Sequence, residues 1–219
     1  MTESTLATVI DTGIWDFNGT LLDDLDLTIQ TINRVLAEYG VSPVDTFTHK
    51  RSFRFPIIDY YRDLGLETTD DGFAVLSERY HDLYMRRVAE CSLYRGIPEV
   101  LAEVGGRGVR QFVLSALNQS MLDTCITSLG ITARFEAVYG LSDVLGRSKI
   151  LRGTELIRDY SIRPAGVLYV GDTNHDVEVA TELGFKAVAV SWGHQHAHQF
   201  DARVQKVVNH PSEILECLS

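Results

Sequence analysis

Asp16-Phe17-Asn18-Gly19-Thr20-Leu21 follows the short run Thr12-Gly13-Ile14-Trp15, so an apolar stretch ends in an aspartate and the chain then turns through Asn-Gly. In an open α/β sheet, ligands bind outside the carboxyl ends of the strands. Residues 16 and 18 are two apart and share one side of an extended backbone. Asp16 can attack phosphorus or bind a cation. Asn18 donates and accepts hydrogen bonds but cannot serve as a general acid or base. Gly19 permits positive φ or a close backbone approach, and Thr20 offers a hydroxyl to a phosphate oxygen.

Three further stretches carry chemistry. In Val113-Leu114-Ser115-Ala116-Leu117-Asn118 an apolar strand ends in Ser115 and a helix start follows. Ser115 can hold a phosphate oxygen with backbone N–H groups at that helix start, and it reads equally well as an N-cap. Gly146-Arg147-Ser148-Lys149 opens an amphipathic segment. A lysine in a first helical turn opposes the helix dipole; a phosphate partner would explain Lys149, and so would solvent exposure. In Val170-Gly171-Asp172-Thr173-Asn174-His175-Asp176 a strand runs into Gly-Asp, with a second aspartate four residues on. Two acids this close repel unless a cation or basic group lies between them, and hard oxygen ligands suit Mg²⁺.

These motifs need a scaffold that presents strand ends together. Candidate strands span 13–16, 111–115, 137–139, 166–170, 187–191 and 204–208. Helical-period segments lie near 98–104, 120–129, 149–160, 176–183 and 211–218. This alternation reads as α/β, a Rossmann-like parallel sheet flanked by helices. From 23 to 91 only helix signals appear. Leu25, Ile29, Ile32, Val35 and Leu36 form a stripe ending at Gly40; a second helix runs from Pro56 to Gly65 and a third over 70–89. An all-helical insert after the first strand reads as a cap over the site, giving a core of 1–22 plus 92–219 and a cap of 23–91.

The densest cationic cluster, His49-Lys50-Arg51-Ser52-Phe53-Arg54, falls in that insert. Arg51 and Arg54, one helical turn apart, could read a carboxylate or second phosphate bidentately, or the cluster is a solvated face. Gly193-His194-Gln195-His196-Ala197-His198 reads as a polar loop near the site mouth. Net charge is −10, with 45% apolar and 23% charged residues. That excludes nonspecific nucleic-acid or anionic-membrane binding and suits a cytoplasmic enzyme, monomer or homodimer, handling a bound cation. Cys91, Cys125 and Cys217 lack metal-site spacing and read as reduced thiols.

In order and spacing these motifs resemble the haloacid dehalogenase-like (HAD) hydrolase superfamily, phosphoglycolate-phosphatase-like branch. The resemblance implies a Mg²⁺-dependent phosphatase acting on a small phosphorylated metabolite. It makes Asp16 the nucleophile that forms an aspartyl-phosphate, with Ser115 and Lys149 binding the phosphoryl oxygens. Thr20, Lys50, Arg51, Arg54 and Asn118 become substrate contacts. Asp16, the main-chain carbonyl of Asn18, Asp172 and Asp176 become the Mg²⁺ site. The sequence departs from the family at Asn18, where such phosphatases carry a second aspartate as acid/base. Slow turnover, good leaving groups or another base among His49, His175 and His194 would accommodate that. So would an engineered Asp→Asn change, and deamidation at Asn18-Gly19 would restore an acid. The alternatives are a phosphonoacetaldehyde hydrolase-like enzyme using Lys50 and a pseudophosphatase that only binds its ligand.

Overall fold

The computed structural model describes residues 9–66, 68–141 and 149–218. Gly146, Arg147 and Ser148 lie outside the described residues. Six parallel strands form one sheet in the order β3-β2-β1-β4-β5-β6: β1 Thr12–Trp15, β2 Arg110–Asn118, β3 Ala137–Leu141, β4 Val167–Gly171, β5 Lys186–Val190 and β6 Lys206–Val208. β1 is central, pairing with both β2 and β4. Alternate residues serve opposite faces. Trp15, Val113, Val170 and Val188 pack in one buried cluster, while Ile14, Phe112, Leu114 and Tyr169 pack in another. A sheet buried on both faces leaves only its edges and strand ends for chemistry.

Among the described residues the first four helices after β1 form the insert: α1 Leu25–Glu38, α2 Thr46–Ser52, α3 Ile57–Asp63 and α4 Asp70–Met85; a fifth helix follows them before β2. α1, α3 and α4 share their own core of Ile32, Val35, Leu36, Tyr60, Tyr61, Phe73 and Leu76. The third expected helix stops at Met85, before a short 3-10 turn at Val88–Glu90. α2 was not anticipated: its seven residues hold one buried side chain, His49, too few for a helical stripe. The later helices are α5 Ile97–Gly106, α6 Gln119–Ser128, α7 Lys149–Tyr160 and α8 Asn174–Leu183. The last segment, Pro211–Leu218, is a 3-10 helix.

β2 runs three residues past the expected end at Ser115. Ser115 therefore lies within the strand, and the helix-start reading of it is corrected. Its register with β3 shifts between Leu114 and Asn118. The N-cap of α6 is Asn118, whose side chain accepts from Ser120 N–H at 3.0 Å. No described helix is long and apolar enough to cross a membrane.

Candidate active site

Adjacent strands β1 and β4 deliver Asp16 and Asp172 at their carboxyl ends, and Ser115 lies near the end of β2. The chain leaves β1 in a tight turn in which the N–H groups of Thr20, Leu21 and Leu22 all point to the Phe17 carbonyl. Gly19 sits at φ +68°, and a Cβ there would lie 2.3 Å from Asp172 Oδ2 and 2.5 Å from His194 Cδ2. Only glycine combines that backbone with that approach. Gly193 is equally enclosed, with a Cβ position 2.3 Å from Asp172 Cβ.

Asp16, Asp172 and Asp176 are buried, and each offers a carboxylate oxygen within 4.8 Å of the others. Lys149, 3% exposed, donates to Asp16 Oδ1 and Asp176 Oδ1, both at 2.6 Å. Solvent exposure thus does not explain Lys149. Asp176 Oδ2 accepts from the Thr173 hydroxyl and from the N–H groups of Asp172 and Thr173. The Tyr169 hydroxyl reaches Asp176 Oδ1. Asp176 is thereby saturated with donors and anchors Lys149 and the β4–α8 turn. Asp172 accepts the His194 N–H at 2.6 Å and the Thr20 hydroxyl at 3.2 Å. Thr20 is fully buried, and its hydroxyl is directed to Asp172.

Burial pushes Asp16 up to about 8, with Asp176 and Asp172 adding to the rise against the pull of Lys149. Burial likewise raises Asp172 to about 6, Asp176 contributing. Burial works against the charges of Lys149 and Asp176, but pairing prevails: Asp16 and then Asp176 hold Lys149 well above its ordinary value, and Lys149 holds Asp176 below its own. One lysine does not neutralise three crowded carboxylates, and hard oxygen donors in this arrangement fit a divalent cation.

Asn18 faces away from proton transfer. Its Nδ2 donates to Asp24 Oδ2 at 2.8 Å and to the Tyr84 hydroxyl at 2.7 Å. Asp24, 2% exposed, is the hub of a second network. It also accepts from Tyr84 at 2.7 Å, Gly19 N–H at 2.9 Å and Thr28 at 3.3 Å, and pairs with His194 Nε2 at 3.4 Å. His194 Nδ1 meets His49 Nε2 at 3.1 Å, and His49 Nδ1 meets the Tyr60 hydroxyl at 2.7 Å. Burial opposes charge on His194, yet Asp24 raises it above the usual histidine value. Burial would raise Asp24, but His194, Tyr84 and Asn18 hold it below its ordinary value. Burial and the neighbouring His194 keep His49 neutral. His194 is thus a buried bridge between the core and the helical insert, in place of the expected polar loop.

The cationic cluster does not converge on the site. Arg54 is exposed and pairs with Asp63 at 2.9 Å. It lies beyond the end of α2, so it does not share a helix face with Arg51. Arg51 is exposed and stacks over Phe47. Lys50 Nζ donates to the carbonyls of Ser191 and Trp192 at 3.4 and 3.3 Å. A cavity of about 160 Å³ is lined by Asp16, Asn18, Ser115, Lys149, Asp172 and Asp176 at one end and by aromatic residues of the insert at the other; Thr20, Lys50, Arg51, Arg54 and Asn118 do not line it. His175 stacks on Phe55, with ring centroids 4.4 Å apart.

Asp24, Tyr84, Tyr169 and Thr173 were not anticipated. Asp23, Asp24 and Asp26 fall within four residues, and nothing in their spacing marks Asp24 as buried. The capping box of α8, in which Thr173 and Asp176 cap each other, was legible as Thr-x-x-Asp.

Residues 13–190 match the family model of haloacid dehalogenase-like hydrolases. The chain belongs to this family. It is 26% identical over 211 residues to a phosphoglycolate phosphatase of Synechococcus elongatus, covering 94% of this chain and 96% of that one. It is 30% identical over 208 residues to the tyrosine-protein kinase PtkA of Mycobacterium tuberculosis, covering 93% and 69%. Among solved structures, a haloacid dehalogenase-like hydrolase from Streptococcus pneumoniae superposes with a TM-score of 0.83 at 20% identity, covering 96% and 99%. The HAD chain is thus a hydrolase of the phosphatase type, with the family's α/β fold.

Proposed function

We propose that this HAD protein is a Mg²⁺-dependent phosphatase that transfers the phosphoryl group of a small metabolite to Asp16 and then to water. The observation that carries the reading is the buried cluster of Asp16, Asp172 and Asp176 spanned by Lys149. Asp16 Oδ1 is held by Lys149, and no donor among the described residues contacts Oδ2, which leaves that oxygen for attack. Lys149 offsets negative charge on the phosphoryl oxygens, and Ser115, also lining the cavity, is placed to donate a hydrogen bond to one of them. Bound Mg²⁺ would be held by Asp16, Asp172 and the residue 18 carbonyl, and would supply Lewis-acid charge neutralisation. Asp176 would position Lys149. Helices α1 to α4 act as a cap, because α2 and its C-cap dock on the 193–199 loop through His49–His194, Gln195 to Phe53 O and Gln199 to Arg51 O.

Asn18 gives this cycle a leaving-group step without protonation. The reading is tested by phosphate release from a panel of phosphometabolites, with and without Mg²⁺. Turnover that needs Mg²⁺ and is abolished in Asp16→Ala supports it. Turnover that persists in Asp16→Ala, or none on any phosphoester, sinks it. The phosphonoacetaldehyde reading places a reactive amine at Lys50, which here is turned to two carbonyls and does not line the cavity.

A further inference from the structure

The cavity beyond Asp16 has an unusual wall for a site that handles phosphate esters. Phe53, Phe55, Tyr60, Phe73, Tyr80 and Tyr84 contribute rings to it, with Ile32 and Ile57. The tyrosine hydroxyls are already engaged, Tyr60 with His49, Tyr80 with Thr28 and Tyr84 with Asp24. Lys149 is the only Lys or Arg among the described lining residues, and it is committed to Asp16 and Asp176. Toward the insert the cavity meets Asp24 and His194, which are paired with each other at 3.4 Å. Among the described lining residues a carboxylate or second phosphate on the leaving group would find Lys149 and His194 already paired with acids, and burying an unpaired charge is costly. An aromatic ring would meet edges and faces of other rings at stacking distance.

Position 18 points the same way. Asn18 is tied to Asp24 and Tyr84 and has no proton to give a departing oxygen. A phenoxide leaves with a conjugate-acid pKa of about 10, as for Tyr, against about 16 for a hydroxyl such as that of water. The former needs little help from an acid.

Resting on the phosphatase reading, we infer that the substrate class is a phosphate monoester of a single uncharged aromatic ring, an aryl phosphate. Asp16 forms a bond to phosphorus as the phosphorus–aryloxide bond breaks, and the electron pair departs on the aryloxide. Water then attacks the aspartyl-phosphate, Asp16 is regenerated and a proton passes to the phosphate formed. Dihydrogen phosphate or solvent protonates the aryloxide, so the products are a phenol and hydrogen phosphate.

Two measurements on the wild-type protein with Mg²⁺ test this. The first compares kcat/KM for phenyl phosphate, benzyl phosphate, 2-phosphoglycolate and acetyl phosphate. Phenyl phosphate is expected to exceed 2-phosphoglycolate about tenfold or more. It should exceed benzyl phosphate, the same ring on a poorer leaving group, by about a hundredfold, the low end of what an acid contributes. The second compares inhibition by phenylphosphonate and 3-phosphonopropionate, with the aryl compound binding about tenfold or more tightly. Turnover of acetyl phosphate with 3-phosphonopropionate bound as tightly as phenylphosphonate, or tighter, overturns the aryl assignment and leaves the phosphatase reading standing. So does 2-phosphoglycolate turned over faster than phenyl phosphate. No turnover of any of the four, acetyl phosphate included, removes the phosphatase reading and the leaving-group assignment with it.

Discussion

Replacing Asp24 by Asn tests the network that fixes Asn18, and its cost follows from the contacts. The carboxylate accepts from Asn18 and Tyr84 at 2.8 and 2.7 Å, from Gly19 N–H at 2.9 Å and from Thr28 at 3.3 Å, and pairs with His194 at 3.4 Å. An asparagine can keep Gly19 and His194 on its oxygen. Asn18 can flip its amide and Tyr84 can rotate its hydroxyl to meet the new NH₂, so no donor need be orphaned. What goes is charge. Charged hydrogen bonds are worth ~1.5–3 kcal/mol against ~1 for neutral ones, so the two short bonds together lose about 1–4 kcal/mol. Losing the partner of a buried imidazolium brings the total toward about 3–5 kcal/mol. Neither side chain of the His194–Asp24 pair is more than 5% exposed, so solvent screening takes little away. The sign with pH follows from the two shifts. Asp24 is lowered, so its contribution is present above about pH 4 and is lost as pH falls through its folded value. His194 is raised, so its contribution is full below about pH 6.5 and is lost as pH rises through its folded value. Urea unfolding of the two proteins should therefore show the widest gap between about pH 4 and 6.5, narrowing on either side. Asp24→Ala, which orphans the donors, should cost more. A gap under about 1 kcal/mol, or one that widens above about pH 8, would refute the hub assigned to Asp24.

Three other outcomes are expected. Mg²⁺ should raise the melting temperature more at about pH 8 than at about pH 5, because cation and protons compete for Asp16 and Asp172, both raised in the folded state; thermal scans with EDTA as reference check this, and Asp172→Asn should abolish the shift. Gly193→Ala must displace Asp172, whose Cβ lies 2.3 Å from the new methyl, so it should cost about 1–3 kcal/mol and most of the turnover. Deamidation at Asn18-Gly19 should be slow in the folded protein, since the Gly19 nitrogen that would attack is held by Leu22 O and Asp24 Oδ1; intact mass and peptide mapping after incubation should show conversion at Asn18 in urea and none in buffer.

The sheet was legible because its strands are short, β-branched and punctuated, and because a sheet covered on both faces makes each strand apolar throughout. The acids at strand ends were legible for the same reason: an aspartate closing such a run has no reason to be there except the position it reaches. What spacing did not carry was the partner of each polar group. Thr20 and Lys50 are suitable phosphate and substrate contacts by residue type, yet one is spent on Asp172 and the other on two backbone carbonyls. Arg51 and Arg54 read as a recognition pair because charge clusters are visible in sequence. Their exposure is a tertiary fact, set by α2 ending at Ser52.

Position 18 shows most clearly why the rest required the structure. Read alone, Asn18 is an aspartate with its proton chemistry removed. Beside Asp24 it acquires a positive role. A carboxylate at 18 would put an acid oxygen about where the amide nitrogen now donates, 2.8 Å from Asp24 Oδ2. Two ionised carboxylates that close would repel by several kcal/mol at an effective dielectric of ~20, whereas the amide supplies the donor that Asp24 needs. Asn18, Tyr84 and Asp24 therefore form one unit, with His194 carrying it to His49 and Tyr60 in the helical insert. The side chain at 18 that cannot exchange a proton also holds Tyr84, one ring of the aromatic wall. On the proposed phosphatase reading, such a site combines a ring-lined chamber with a leaving-group step without protonation. Those two properties suit the same substrate, one whose leaving group is aromatic and departs as an anion.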